Sequence, residues 1–136
     1  MRVLNDNCHK LVVPQIFKPK DIFDAMNTDM PRALFLIRNR NAFLLHLYVP
    51  LHLRHRGIAR RMLFEVSKEC LRNKCENIYV DDMSNRFRKD DNIYIRFGFV
   101  YKNVCDSEMC VNIKKLMEKS ICTFRVEKID FFILIY

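Results

Sequence analysis

Two glycines in 136 residues are the strongest constraint on how this chain can turn. Average usage of about 7% would supply about nine or ten. Glycine enters left-handed backbone freely, so a chain this poor in it must build its turns from Asn, Asp and Pro. The two that remain, Gly57 and Gly98, are expected to mark places where no side chain fits. Around the first, Arg54 to Arg61 reads Arg-His-Arg-Gly-Ile-Ala-Arg-Arg, with four arginines and no acid.

The length argues for one domain, because domains cluster near ~100–150 residues. Half the residues are apolar and 29% are charged, which excludes disorder over most of the chain. No stretch approaches the ~18 uncharged apolar residues of a membrane span. Met1-Arg2-Val3-Leu4-Asn5-Asp6 lacks the apolar stretch of a signal peptide, so an intracellular setting, cytoplasm or nucleus, is expected. In such a reducing compartment the six cysteines, at 8, 70, 75, 105, 110 and 122, are mostly thiols. Cys70/Cys75 and Cys105/Cys110 repeat a spacing that zinc permits. No His follows at finger spacing, and buried free thiol is the commoner fate, so no metal is expected. The net charge of +8 favours an anionic partner: nucleic acid, a phosphate-bearing cofactor or an acidic substrate.

Patterning gives a mixed order of strands and helices. Val3–Leu4 and Leu11–Phe17, interrupted by Pro14, read as edge strand or loop. Asp21–Met26 reads as a short helix capped by Asp21. Ala33–Ile37 and Ala42–Val49 read as strands joined by the turn Arg38-Asn39-Arg40-Asn41. Strict alternation places Phe43, Leu45, Leu47 and Val49 on one face of the second, and Leu44, His46 and Tyr48 on the other. Ile58–Arg72 has helical periodicity, with Ile58, Met62, Leu63, Val66 and Leu71 on its stripe. Asn77–Val80 is a strand, a short helix ends at Phe97, and Phe99–Lys102 is a strand. Met109–Met117 fits either a hairpin strand or a helix, and Thr123–Val126 and Phe131–Tyr136 fit strands. The fold class expected is α/β with a mixed sheet.

The basic segment falls between a central strand and the long helix. A helix start carries unpaired N–H groups and partial positive charge, and so receives phosphate. Amides reach a pyrophosphate where side chains are small, and Gly57 and Ala59 are small. The plainer reading, a solvated basic turn, has comparable weight on composition alone.

Val49-Pro50, Arg54-His55-Arg56-Gly57-Ile58-Ala59 and Leu63 together resemble the acetyl-CoA-binding motif of the GNAT-type N-acetyltransferases, V-x-P-x-x-R/Q-x-x-G-x-G/A. Here Val49 and Pro50 are adjacent, and Arg54-x-x-Gly57-x-Ala59 is in place. Tyr94-Ile95-Arg96-Phe97-Gly98-Phe99 resembles the family's second signature, Y-x-x-x-G-F. Both glycines fall on these signatures. The resemblance implies a mostly antiparallel, splayed sheet flanked by helices. It implies a single domain over 1–136, with a reduced N-terminal part and an extra tail from about 118. It also implies acetyl transfer from acetyl-CoA directly to an amine, on a protein or a small molecule.

The same resemblance implies roles for particular residues. Arg54, His55, Arg56, Gly57, Ile58, Ala59 and Arg60 would hold the cofactor, with a backbone donor near Tyr48 and Val49. Tyr94 stands where the family places its general acid, and Asn85 stands where it commonly has a cofactor-side Asn, displaced by two positions. His46 is the candidate base, since an imidazole titrates near neutrality. Asp81 and Asp82 are its rivals. Two other classes stay open: a GNAT-like binding or scaffold domain that has lost catalysis, and, less favoured, a basic nucleic-acid-binding module. The acceptor and the oligomeric state are not legible.

Overall fold

The computed structural model describes residues 1–81, 93–102 and 107–118. Strands β1 (Arg2–Asn5) and β2 (Lys10–Val13) pair antiparallel. In the turn between them, the Asp6 carboxylate accepts from the N–H groups of Cys8 at 2.8 Å and His9 at 2.6 Å. Helix α1 (Ile22–Met26) begins where expected, with the Asp21 carboxylate accepting from Asp24 N–H at 2.8 Å. Strands β3 (Arg32–Arg38) and β4 (Asn41–Tyr48) then form a hairpin. Its two central residues, Asn39 and Arg40, have φ of 52° and 65°. That is the all-positive geometry a tight two-residue turn needs, built here without glycine.

A 3₁₀ turn, Leu51–Leu53, leads to α2 (Ile58–Arg72), β5 (Asn77–Asp81), α3 (Ile93–Phe97), β6 (Val100–Tyr101) and β7 (Glu108–Asn112). Residues 113–118 form a further helix, α4. The ambiguous stretch Met109–Met117 is therefore both things in turn, strand and then helix. The sheet order is β1-β2-β3-β4-β5-β7-β6, and every described pairing is antiparallel except β4 with β5.

Helix α2 packs on β2, β3 and β4. It buries Met62, Leu63, Val66 and Cys70 at helical spacing, together with Phe64 and Ser67. Each large apolar side chain so buried contributes about 1.5–3 kcal/mol. Leu71, expected on this stripe, is instead exposed, because it lies one position past Cys70 on the helix circumference. Ser67 satisfies its buried hydroxyl by donating to the Leu63 carbonyl at 2.8 Å. Lys10 Nζ reaches Glu69 Oε1 at 3.1 Å and ties β2 to the helix. Cys70 and Cys75 are free, buried thiols, and burial pushes both up from the ordinary thiol range. No helix among the described residues is long and apolar enough to cross a membrane.

Strand β4 corrects the simple alternation. Leu34 pairs with His46 and Phe35 with Leu44, so Leu45 is an extra residue, a β-bulge. The bulge shifts the phase. Leu44 and Leu47 both face the α2 side, where Leu47 and Val49 pack on the main core, and Leu45 is pushed out to half exposure. His46 and Tyr48 stay on the opposite face. The glycine expectation needs a different correction. Gly57 has φ +78° and no described atom within 4 Å of where a Cβ would stand, and Gly98 has φ +113° with only ordinary contacts. Both positions need glycine for backbone conformation, not for lack of room.

Candidate active site

The β4–β5 ladder runs from Asn41↔Asn77 to Leu44↔Val80 and goes no further among the described residues. The β3–β4 ladder continues to Arg32↔Tyr48. Past the bulge, β4 is therefore paired on one side only among the described residues. At this open end a cleft of about 740 Å³ forms, and it is lined by the end of β4, the turn after it, the first turn of α2, and α3.

The local sequence explains the turn. Pro50 has no N–H and ends the ladder. Arg54 swings back, and its Nε donates to the Val49 carbonyl at 2.9 Å, closing the loop over five residues. His55 and Gly57 both take left-handed backbone, with φ of 64° and 78°. Gly57 is the N-cap of α2, with no side-chain cap and no acid in the first turn. The helix makes its first bond from Arg61 N–H to the Gly57 carbonyl at 3.1 Å. The N–H groups of Ile58 and Ala59, ahead of that bond, have no intrahelical acceptor. The helix start thus offers donors and a positive dipole to the cleft.

The expected cofactor residues fall into three groups. Tyr48, Val49, Arg54, His55, Gly57, Ile58, Ala59 and Arg60 all line the cleft. Arg56 is exposed on the same turn, outside the lining. Asn85 lies outside the described residues, as does Asp82, a rival candidate for the base. Sequence reasoning missed Leu47, Leu53, Ile93, Arg96 and Phe97, which also line the cleft. Arg96 and Phe97 stand inside the Tyr94–Phe99 signature, so the signal for them was present. The described lining carries no carboxylate.

The expected proton-transfer residues lie beside the cleft. Tyr94 is half-buried on α3, next to the lining residue Ile93, and its ring meets Phe99 edge-on at 5.6 Å. His46 sits on the sheet face away from α2. Its Nε2 accepts from Arg32 Nε at 3.3 Å, and its ring stacks on Tyr48 at 6.1 Å. Burial, and then the Arg32 charge, hold this imidazole below its ordinary 6.5. Tyr48 donates its hydroxyl to Asp29 Oδ1 at 2.6 Å, and that bond to the carboxylate raises the phenol above its ordinary value. Asp81 ends β5, where its carboxylate accepts from the Ser107 hydroxyl.

No protein-family model matches the sequence, and comparison with the curated proteins finds no relative. Solved structures do match. A GNAT-family protein of Desulfovibrio desulfuricans aligns over 78% of this chain and 69% of its own, at 14% identity and a TM-score of 0.59. The fold is that of the GNAT acetyltransferases. The PaiA N-acetyltransferase of Thermoplasma acidophilum, solved in complex with coenzyme A, aligns over 60% of this chain and 52% of its own, at 19% identity and a TM-score of 0.53. A GNAT-family acetyltransferase of Staphylococcus aureus aligns over 77% and 66%, at 15% identity and a TM-score of 0.53. The chain thus spans from 52% to 69% of the lengths of these GNAT-fold proteins.

Proposed function

We propose that the protein is an acetyl-CoA-dependent N-acetyltransferase and that the cleft at the open end of β4 receives the cofactor. One observation carries the reading: an uncapped helix start and a glycine in left-handed backbone, facing a basic cleft in a GNAT fold. The residues fit a diphosphate-bearing thioester. The amides of Ile58 and Ala59 suit a pyrophosphate, the basic side chains of the lining supply opposite charge, and Leu47, Val49 and Phe97 give an apolar wall.

When bound, acetyl-CoA supplies the carbonyl carbon to which the amine nitrogen bonds, while the carbon–sulfur bond breaks and CoA leaves as a thiol. The chain has three tasks in that exchange. A backbone N–H at Tyr48–Val49, on the side of β4 that has no strand partner among the described residues, donates to the thioester oxygen as it gains charge. Tyr94 delivers a proton to the leaving sulfur. His46 takes the proton the amine loses. Its depressed pKa keeps it in the base form at neutral pH, while its Nε2 is shared with Arg32 through the long 3.3 Å bond.

The sign of the His46 shift sets a pH dependence. A depressed pKa keeps the ring neutral to lower pH than a free imidazole, so the acid limb of the activity profile is expected to have its midpoint below 6.5. Stability moves the same way. The unfolded chain binds the proton more readily, so the stability that neutral His46 contributes is complete above 6.5 and is lost as pH falls through the folded value. A kcat/KM profile with its acid limb at or above 6.5 removes His46 from the base role.

The test of the reading itself is thermal. Acetyl-CoA at a hundred times its Kd is expected to stabilise the protein by about 2.7 kcal/mol, which raises Tm by roughly 10 °C for a chain of this size. No rise at millimolar cofactor removes the proposal. A second reading, a GNAT-like domain that binds CoA without transferring acetyl, is favoured by the Arg32 hydrogen bond that occupies His46 Nε2. A full thermal shift with no thiol released by any amine selects it.

A further inference from the structure

Among the described residues Arg32 has no counter-ion. It stands opposite Tyr48 on the last described rung of the β3–β4 ladder, one residue from where Val49 enters the cleft. Its guanidinium lies over the Tyr48 ring, 4.7 Å from the centroid. Nε donates to His46 Nε2 at 3.3 Å. Nη1 donates to the Thr28 carbonyl at 2.8 Å and, at 3.4 Å, to those of Ala25 and Met30. These bonds fix the fork but neutralise nothing. Among the described residues Arg32 forms no ion pair. Nη2 makes no hydrogen bond to them and is not sealed from solvent. The Asp29 carboxylate accepts from the Tyr48 hydroxyl at Oδ1 and makes no ion pair with Arg32, since none of the ion pairs among the described residues includes either residue. A half-buried guanidinium is costly to keep without a partner, and the two N–H donors of Nη2 can receive a carboxylate oxygen through a charge-assisted bond.

We propose that the amine acceptor also carries a carboxylate, and that Arg32 is the residue that receives it. This inference rests on the acetyltransferase reading, since it places the acceptor on the sheet face opposite α2, where His46 and Tyr48 project. Charge agrees with it: a protein of net charge +8 with a basic cleft repels a polycationic acceptor and attracts an anionic one. A molecule whose carboxylate rests on Nη2 has its amine within short reach of His46, because Nη2 and the bonded Nε belong to one guanidinium.

The experiment uses the full chain with acetyl-CoA and reads thiol release and acetylated product. The acceptors are the common α-amino acids and short ω-amino acids, the carboxamide of each, and spermidine. At least one free acid is expected to be turned over, with kcat/KM tenfold or more above its own carboxamide and above spermidine. Arg32→Met is expected to raise KM for that acid about 10–100-fold and to leave KM for the carboxamide little changed, while kcat shifts for both acceptors through the lost contact with His46, and Arg32→Lys to recover part of the KM loss. Calorimetric titration of the CoA-bound protein with the same acid reads binding without turnover and should show the same ranking.

Equal use of acid and carboxamide overturns the inference. So does preference for spermidine, an Arg32→Met rise in KM shared equally by acid and carboxamide, or turnover of a carboxamide or spermidine with no free acid turned over. Absence of the thermal shift, or a shift with no acceptor of any kind turned over, overturns the acetyltransferase reading instead, and the inference falls with it.

Discussion

Gly57→Glu is expected to weaken acetyl-CoA binding by at least a hundredfold while leaving the fold in place. The two halves of that expectation have separate causes. A Cβ at this position meets no described atom within 4 Å, so the cost to the fold is limited to holding a non-glycine residue at φ +78°, about 1–2 kcal/mol. Part of that is offset, because a carboxylate at a helix N-terminus interacts favourably with the dipole by about 0.3–1 kcal/mol. The cofactor sees something different. The new carboxylate stands beside the amides of Ile58 and Ala59 and brings negative charge where a diphosphate is to sit. Gly57→Ala is the control, since it introduces the same backbone strain without the charge. Calorimetric titration with CoA should rank wild type above Gly57→Ala and that variant far above Gly57→Glu. Unchanged affinity in Gly57→Glu, with folding verified by thermal melting, would show that the phosphates bind elsewhere.

The structure gives Gly57 a special backbone conformation for a reason other than lack of room, which shows where the legibility of this fold ends. Scarcity pointed to Gly57 as special, but a residue count cannot separate a need for space from a need for positive φ. Local rules fared well where the determinants are local. The Asn39–Arg40 reversal, the Asp21 cap and the bounds of α2 follow from turn chemistry, side-chain capping and 3.6-residue periodicity. They failed where the deciding partner is distant. The bulge at Leu45 is silent in a run of apolar residues, because Leu44 and Leu45 look alike until β3 pairs with one and skips the other. Arg32 gave no signal at all. Its grouping with His46, Tyr48 and Asp29 exists only once two strands are in register and the α1–β3 connection folds over them. The Arg54–Val49 bond is intermediate. The motif named Arg54 as a charge for phosphate, whereas its Nε is engaged in closing the loop. The expected strands at Thr123–Val126 and Phe131–Tyr136 lie outside the described residues.

Tyr94→Phe separates proton delivery from cofactor binding. The substitution removes one oxygen and keeps the ring that meets Phe99 edge-on, so α3 should stay packed and keep Ile93, Arg96 and Phe97 against the cleft. The backbone around it is also independent of the hydroxyl: the Tyr94 carbonyl accepts from Gly98 N–H at 3.1 Å and Phe99 N–H at 2.9 Å in either variant. If the phenol protonates the leaving sulfur, its loss removes a general acid, an effect of about 10²–10⁴ in kcat. The KM for acetyl-CoA should then stay within about threefold, because the hydroxyl is asked to act on the sulfur and not on the phosphates. A more activated thioester should lose less, since a sulfur that leaves readily needs the proton less. Turnover equal to wild type would confine Tyr94 to packing between α3 and the sheet. An equal fall in binding and turnover would make it a cofactor contact. Only the selective loss in kcat, with the thermal shift by acetyl-CoA preserved, supports proton donation from this side of the cleft.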